Sequence, residues 1–219
     1  MNARYRAMDK SAFASAVLLK LRRRYGSSLH TGLVNRNIVE LFVAVFLSPQ
    51  CTDKQTNKAT VKLFEKYRTF EDYADSDLRT LMRLLSGLNY YKTKARNLKR
   101  SASIIVNRFN GEIPRTFSEL IELPGVGRKV ANVILNEGFG INEGIAVDTH
   151  CAVVARRLGL SRKKDPAWIE DDLKRKFKKK DWGSVSNLFI ALGRDTCTAR
   201  AKRCEECVLR SLCPSSTAE

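Results

Sequence analysis

Apolar residues recur along the chain at intervals of three and four, the spacing that gathers side chains on one face of a helix. Phe13, Val17 and Leu21 make one such stripe, and Val61, Phe64 and Tyr67 a second. Leu78, Leu81 and Leu85 make a third, Leu98, Ala102 and Ile105 a fourth, while 38–47 is apolar almost throughout. No stretch sustains the alternation of period two that a half-buried strand requires. The pattern predicts an all-α fold of about ten short helices. Pro49 ends the helix that begins near Asn37, and Thr52 with Gln55 forms a capping box that opens the next. Gly111 and Pro114 break the chain before Thr116, which with Glu119 forms a second box. The stretch from Ser161 to Pro166 reads as a turn, with further helices over 169–177 and 185–192. Neither an internal repeat nor a low-complexity linker divides the sequence.

The chain has 219 residues, 43% of them hydrophobic, enough to bury one sizeable core or two small ones. Forty Lys and Arg against 23 Asp and Glu leave a formal charge of +17, which calls for a polyanionic partner. The basic residues are spread over the whole chain rather than gathered in one tail, which favours nucleic acid over an anionic membrane; a solvated basic surface is the plainer alternative. The N-terminal Met1 to Met8 lacks an apolar segment behind its charges. The longest purely apolar run, Leu41 to Leu47, is far shorter than the ~20 residues of a membrane span. The expectation is a soluble, intracellular, cytoplasmic or nucleoid-associated protein without a membrane partner, and a monomer by default. In a reducing compartment, six unevenly spaced cysteines point to metal ligation before disulfides.

The most informative stretch is 117–136, where an apolar turn ending at Leu123 runs into Pro124, Gly125, Val126 and Gly127 and then into an amphipathic helix from Arg128. Gly125 and Gly127 permit a turn that side chains would block, so amides opening the second helix can approach a phosphate oxygen. Arg128 adds charge at the same place. An ordinary helix-helix turn is the alternative. On the second helix Val126, Val130, Val133 and Ile134 are predicted to face the core, and Lys129, Asn132 and Asn136 the opposite side. Further on, the apolar run Ile145 to Val147 delivers Asp148 just ahead of another helical pattern, where the ordinary role of an aspartate is N-cap.

Near the end of the sequence, Cys197, Cys204, Cys207 and Cys213 follow the spacing C-x6-C-x2-C-x5-C. Four thiolates in so short a span can close around one metal centre, either a zinc ion or an iron-sulfur cluster. Zinc ribbons usually bring two close Cys-x-x-Cys pairs, and here there is one. Cys51 and Cys151 fall outside the pattern and read as small buried residues.

The run from Leu123 to Asn136, followed by Val147, Asp148, Thr149 and His150, is similar to the helix-hairpin-helix DNA glycosylases, most closely to the endonuclease III type. The likeness extends from about Val34 to Cys213. It implies a two-lobed all-α fold with a C-terminal [4Fe-4S] cluster loop. A helical lobe over 28–140 would contain the hairpin, 1–27 with 141–219 would form the cluster lobe, and the active site would lie between them. It implies Lys129 as nucleophile and Asp148 as its catalytic partner, with the cluster held by Cys197, Cys204, Cys207 and Cys213. Arg200, Lys202 and Arg203, between the first two cysteines, become phosphate contacts beside Gly125, Gly127 and Arg128; a merely solvated loop is the alternative. Gln50 matches the loop glutamine that fills the space left by an extruded base, against the alternative of an exposed loop amide. The loop from Gly87 to Lys92 keeps the Gly-Leu of endonuclease III, but is two residues longer and carries a Tyr-Tyr pair more like adenine-mismatch enzymes. Leu88 is the expected wedge, with Tyr90 and Tyr91 as the other candidates.

The implied activity is that of a bifunctional DNA N-glycosylase and AP lyase of base excision repair. It would remove oxidised pyrimidines from double-stranded DNA, or act on abasic sites, through a lysine Schiff base, and cleave on the 3′ side by β-elimination. The residue types suit that chemistry, since a neutral amine can attack a sugar carbon and expel the base. An ordinary lysine amine is almost wholly protonated at neutral pH, so a nucleophilic one needs burial or nearby positive charge. An aspartate opposes that change, which leaves it to accept a proton and to support the developing sugar cation. The competing readings are a monofunctional uracil or thymine mismatch glycosylase, a non-catalytic helix-hairpin-helix DNA-binding module, and an electron carrier. The lysine argues against the first, and the second leaves the Lys129 and Asp148 pair unexplained.

Overall fold

The computed structural model describes residues 9–27 and 29–218. Residues 1–8 and 219 of the expected cluster lobe, and residue 28 at the start of the expected helical lobe, lie outside the described residues. Among the described residues there are eleven α-helices and no strand. The chain divides into two compact units, Gly32–Ile141 on one hand and Met1–Thr31 with Asn142–Glu219 on the other, and each has its own apolar core.

The Gly32–Ile141 unit holds α2 (Ile38–Leu47), α3 (Asp53–Lys66), α4 (Phe70–Asp75), α5 (Leu78–Leu84), α6 (Tyr91–Phe109), α7 (Phe117–Glu122) and α8 (Arg128–Val133). A single π-helical turn, Ile134–Gly138, continues α8. The apolar α2 is buried from Glu40 to Leu47. Glu40 is tolerated there because Arg36, one turn earlier, grips both its carboxylate oxygens, with Nη2 2.7 Å from Oε1; these bonds outweigh burial and hold the carboxyl below its ordinary range. The expected capping box at Thr52 and Gln55 is present. At Thr116 the box is only half made, because the Glu119 carboxylate accepts from the Thr116 hydroxyl (2.6 Å) instead of from a backbone amide. A full box stands instead at Thr69 and Asp72. The stripe expected on α3 is also shifted, with Val61 58% exposed and Thr56, Thr60, Leu63 and Phe64 forming the buried face.

The hairpin between α7 and α8 is fixed from three sides. The Val126 amide donates to the Leu123 carbonyl at 3.0 Å, and the Ser101 hydroxyl of α6 donates to the Pro124 carbonyl at 2.9 Å. Gly125 has φ of +92° and lies so near α2 and α6 that a Cβ would stand 2.8 Å from Phe46 Cζ and 3.2 Å from Asn97 Cβ. Gly127 is different, since its φ is −94° and a Cβ there would meet nothing within 4 Å. The turn itself therefore demands only the first glycine.

In the other unit, α1 (Lys10–Tyr25) packs on α11 (Trp182–Asp195), which also packs on α9 (Thr149–Arg157). The helix α10 (Pro166–Lys174) completes the core with Ile169 and Leu173. It begins earlier than the apolar pattern alone predicts, because Asp165 caps it and Pro166 takes its first position. A short 3-10 turn, Lys179–Asp181, leads into α11. Among the described residues no helix is long and apolar enough to cross a membrane.

The two glycines should separate cleanly on substitution. Gly125→Ala combines a disfavoured backbone with a steric clash and should cost about 1–3 kcal/mol, whereas Gly127→Ala should cost under about 1 kcal/mol. Urea denaturation midpoints at unchanged slope would show the difference, and equal losses would contradict this account of the hairpin.

Candidate active site and cysteine loop

The hairpin delivers α8, and Lys129 sits on its first turn. Lys129 is half-buried, while Arg128 is exposed and lies over the Phe117 ring at 5.0 Å. Val126, Val130 and Ile134 are buried as the pattern predicts. Asn132, expected on the polar face beside Lys129, is instead 3% exposed. The reason is that α8 packs against both α2 and α7, so more than one face is covered. Gly127 caps α8 with no side-chain hydrogen bond, and the open space around it leaves the first amides of the helix approachable.

Two loops of the same unit carry the residues expected to replace a base in the duplex. Gln50 is exposed and takes a left-handed backbone, φ +58°. Its carbonyl accepts from Asn89 Nδ2 at 2.6 Å. Lys94 Nζ donates to the Pro49 carbonyl at 2.8 Å and lies 3.1 Å from Cys51 Sγ. The Gln50 loop is thus pinned by residues of the second loop and of α6. Cys51 is half-buried against that ammonium, while Cys151 is fully buried. The expected wedge, Leu88, does not point outward. It is 3% exposed and belongs to the core, whereas Tyr90 is 66% exposed with φ +56°. The longer loop turns its leucine inward as an anchor and leaves the outward apolar side chain to Tyr90. Sequence reasoning missed Asn89 and Lys94, since nothing in their spacing distinguishes them from other loop amides and surface lysines.

In the other unit, Asp148 is the N-cap of α9, its Oδ1 accepting from the Cys151 amide at 2.8 Å. The strap before it is buried from Ile145 to Val147 and is held by the Ser186 hydroxyl, which donates to the Ala146 carbonyl at 2.7 Å. Just beyond, a Cβ on Gly193 of α11 would stand 2.8 Å from His150 Cβ. Asp148 is therefore rigidly placed, half-buried, with its second oxygen outside the capping bond.

After α11 the chain folds into a loop in which Cys197, Cys204, Cys207 and Cys213 line one cavity together with Arg157. An antiparallel bridge joins Cys197 to Lys202, and Leu209 and Leu212 anchor the loop in the core. Burial pushes the Cys207 thiol up, and Cys213 up to about 11. Burial acts upward at Cys204 too, but bonds from the Thr217 side chain and amide, with the charge of Lys202, outweigh it and lower that thiol's pKa. Among the described residues no group of three or more His, Cys, Asp or Glu side chains is placed to hold a metal ion. Of the basic residues in the loop, Lys202 Nζ donates to the Ser215 carbonyl at 3.1 Å. Arg203 donates to the Asp195 carbonyl at 2.6 Å and pairs with its carboxylate at 3.3 Å. Arg200, Lys202 and Arg203 are all exposed, and the bonds of Lys202 and Arg203 also brace the loop.

Residues 43–179 match the family described as HhH-GPD superfamily base excision DNA repair protein. The chain is 44% identical to endonuclease III of Bacillus subtilis (strain 168) over 182 residues, 83% of each chain. It is 40% identical to endonuclease III of Synechocystis sp. over 210 residues, 96% of this chain and 95% of that one. Its fold superimposes on the solved structure of a trapped endonuclease III-DNA covalent intermediate with a TM-score of 0.88 at 38% identity, covering 95% of this chain and 97% of the other. The chain therefore belongs to the endonuclease III family of HhH-GPD base excision DNA repair proteins.

Proposed function

We propose that this chain is a bifunctional DNA N-glycosylase and AP lyase that removes oxidised pyrimidines from double-stranded DNA and nicks the abasic strand. The observation that carries the reading is Lys129, half-buried on the first turn of the helix behind the Gly125 hairpin, in a chain similar to a protein solved as a trapped covalent intermediate with DNA. Its neutral amine attacks C1′ of the deoxyribose, and the bond from C1′ to the base breaks with the electron pair leaving on the base. Loss of a proton from nitrogen and opening of the sugar ring give a protonated Schiff base. Removal of a C2′ proton then expels the 3′ phosphate, and water releases the lysine. Asp148 accepts a proton in this sequence and supports positive charge on the sugar through its oxygen outside the cap.

Base extrusion precedes this chemistry, and the unstacked gap must be filled. Gln50 enters from one loop and Tyr90, in place of Leu88, from the other. Phosphates are held by the amides after Gly127, by Arg128 and by Arg200, and the formal charge of +17 draws the duplex in. The protein works as a monomer inside the cell, on the nucleoid.

Cys197, Cys204, Cys207 and Cys213 hold a [4Fe-4S] cluster. Four soft donors around one cavity suit a thiolate-bound metal centre, and the likeness to endonuclease III favours the cluster over a lone zinc ion. When bound, the cluster supplies four iron-thiolate bonds that clamp the loop; the loop's own residues present Arg200 to DNA.

Borohydride trapping on a duplex containing thymine glycol tests the assignment. The native chain should give a covalent adduct and Lys129→Gln none; binding by both with trapping or nicking by neither would return the protein to the mismatch or binding-only readings. Asp148→Asn separates capping from chemistry. Asparagine caps as well as aspartate, so stability should move by under about 1 kcal/mol, while single-turnover rates should fall by about 10²–10⁴-fold. A rate loss matched by unfolding would reduce Asp148 to a cap. For the wedge, Leu88→Ala should cost about 2–5 kcal/mol of stability. Tyr90→Ala should leave stability unchanged and slow base extrusion, read by the fluorescence of a 2-aminopurine beside the lesion.

A further inference from the structure

Among the four cysteines, Cys197 is held by a charged side chain: Nη1 of Arg157 donates to its Sγ at 3.1 Å. The same guanidinium donates to the carbonyls of Cys197 at 3.2 Å, Thr198 at 2.7 Å and Ala199 at 3.3 Å. The main chain of Arg157 reaches the other end of the loop, its carbonyl lying 3.5 Å from Cys213 Sγ. One residue at the end of α9 therefore touches both the first and the last of the four cysteines.

A guanidinium is a planar fork of five donors that keeps its charge. Here the fork closes on one three-residue segment, so Cys197 cannot swing without breaking several bonds at once. The charge has a second effect. Four thiolates make any iron centre they hold strongly negative, and a cation bonded to one sulfur favours the state with one more electron.

We propose that Arg157 is the positioning residue for Cys197, locking the 197–199 segment around the cluster and raising the reduction potential of the cluster held there. The proposal rests on the cluster reading given above. Arg157→Lys keeps the charge and loses the fork; Arg157→Met loses both and keeps the stem. The readouts are iron per chain, the rate at which a chelator bleaches the visible band, and the potential by voltammetry. The Met variant should bleach faster, and its one-electron reduction equilibrium should shift about tenfold toward the oxidised form, ~59 mV. The Lys variant should recover most of the potential and little of the resistance to bleaching. Native potential and native bleaching in both variants would overturn the proposal. Native protein labelled with 15N-arginine supplies a test that needs no variant. Electron-nuclear double resonance of the paramagnetic cluster should show coupling to a guanidinium nitrogen, and its absence would overturn the proposal even if both variants lost their iron. A colourless native protein containing zinc would instead overturn the cluster reading itself, whatever the variants did.

Discussion

The contact between Gly125 and Phe46 governs the geometry of the helix that carries Lys129. A hairpin between two helices of six residues each has too little length to hold its own angle, because short helices draw their stability from what they pack against. The Phe46 ring of α2 and the Asn97 stem of α6 supply that support by meeting the bare α-carbon of Gly125. With the Ser101 bond to Pro124, they set where α8 begins and so where Lys129 projects. The π-turn at the far end repeats the tactic, since Gly138 lets Ile38 of α2 approach to 2.5 Å of where a Cβ would be. Both ends of the segment are thus fastened to the same buried helix.

The second unit uses single side chains for two tasks at a time. Asp148 closes the N-terminus of α9 with one oxygen and, in the proposed reaction, keeps the other for chemistry. Asp195, at the end of α11, accepts from Tyr25 of α1 at 2.9 Å and from Thr196 at 3.0 Å, and it pairs with Arg203 of the cysteine loop. The bond from Tyr25, then that from Thr196, hold its carboxyl below the usual range. One carboxylate ties α1, α11 and the loop together. An acid of this kind is embedded in structure that substitution would disturb, which is why conservative amide replacements separate its roles better than truncation does.

The fold was largely legible in the sequence, because apolar stripes at helical spacing and the punctuation at Asn37, Pro49 and Thr52 are local signals. Where the reading failed, packing had overridden pattern. Val61 looked apolar enough for the core, yet α3 buries Thr56 and Thr60, whose hydroxyls bond back to carbonyls one turn earlier. Asn132 looked surface-bound, yet α8 is covered on more than one side. Leu88 was placed outward by likeness to a shorter loop, and the extra length of this one changed which side chain emerges. At the candidate site, residue types with rare spacing could be found, as with the four cysteines and the glycines before Lys129. Their supports could not: Arg157, Lys94 and Asn89 act through a hydrogen-bond partner 39 to 45 residues away, and each is one of many side chains of its kind.

The discontinuity of the second unit has a consequence for how the chain acquires its structure. Residues 32–141 form a continuous unit with its own core, so its helices can associate through contacts close in sequence. The helix α1 leaves the ribosome before residues 32–141, yet its partners Val185, Leu188, Phe189 and Leu192 are synthesised more than 150 positions later. Pairings that close so long a loop are entropically slow. During that interval the apolar face of Phe13, Val17 and Leu21 stands uncovered, a surface for chaperones during translation. The cysteine loop, anchored by Leu209 and Leu212 in the same core, finds its seat only after α1 and α11 have met.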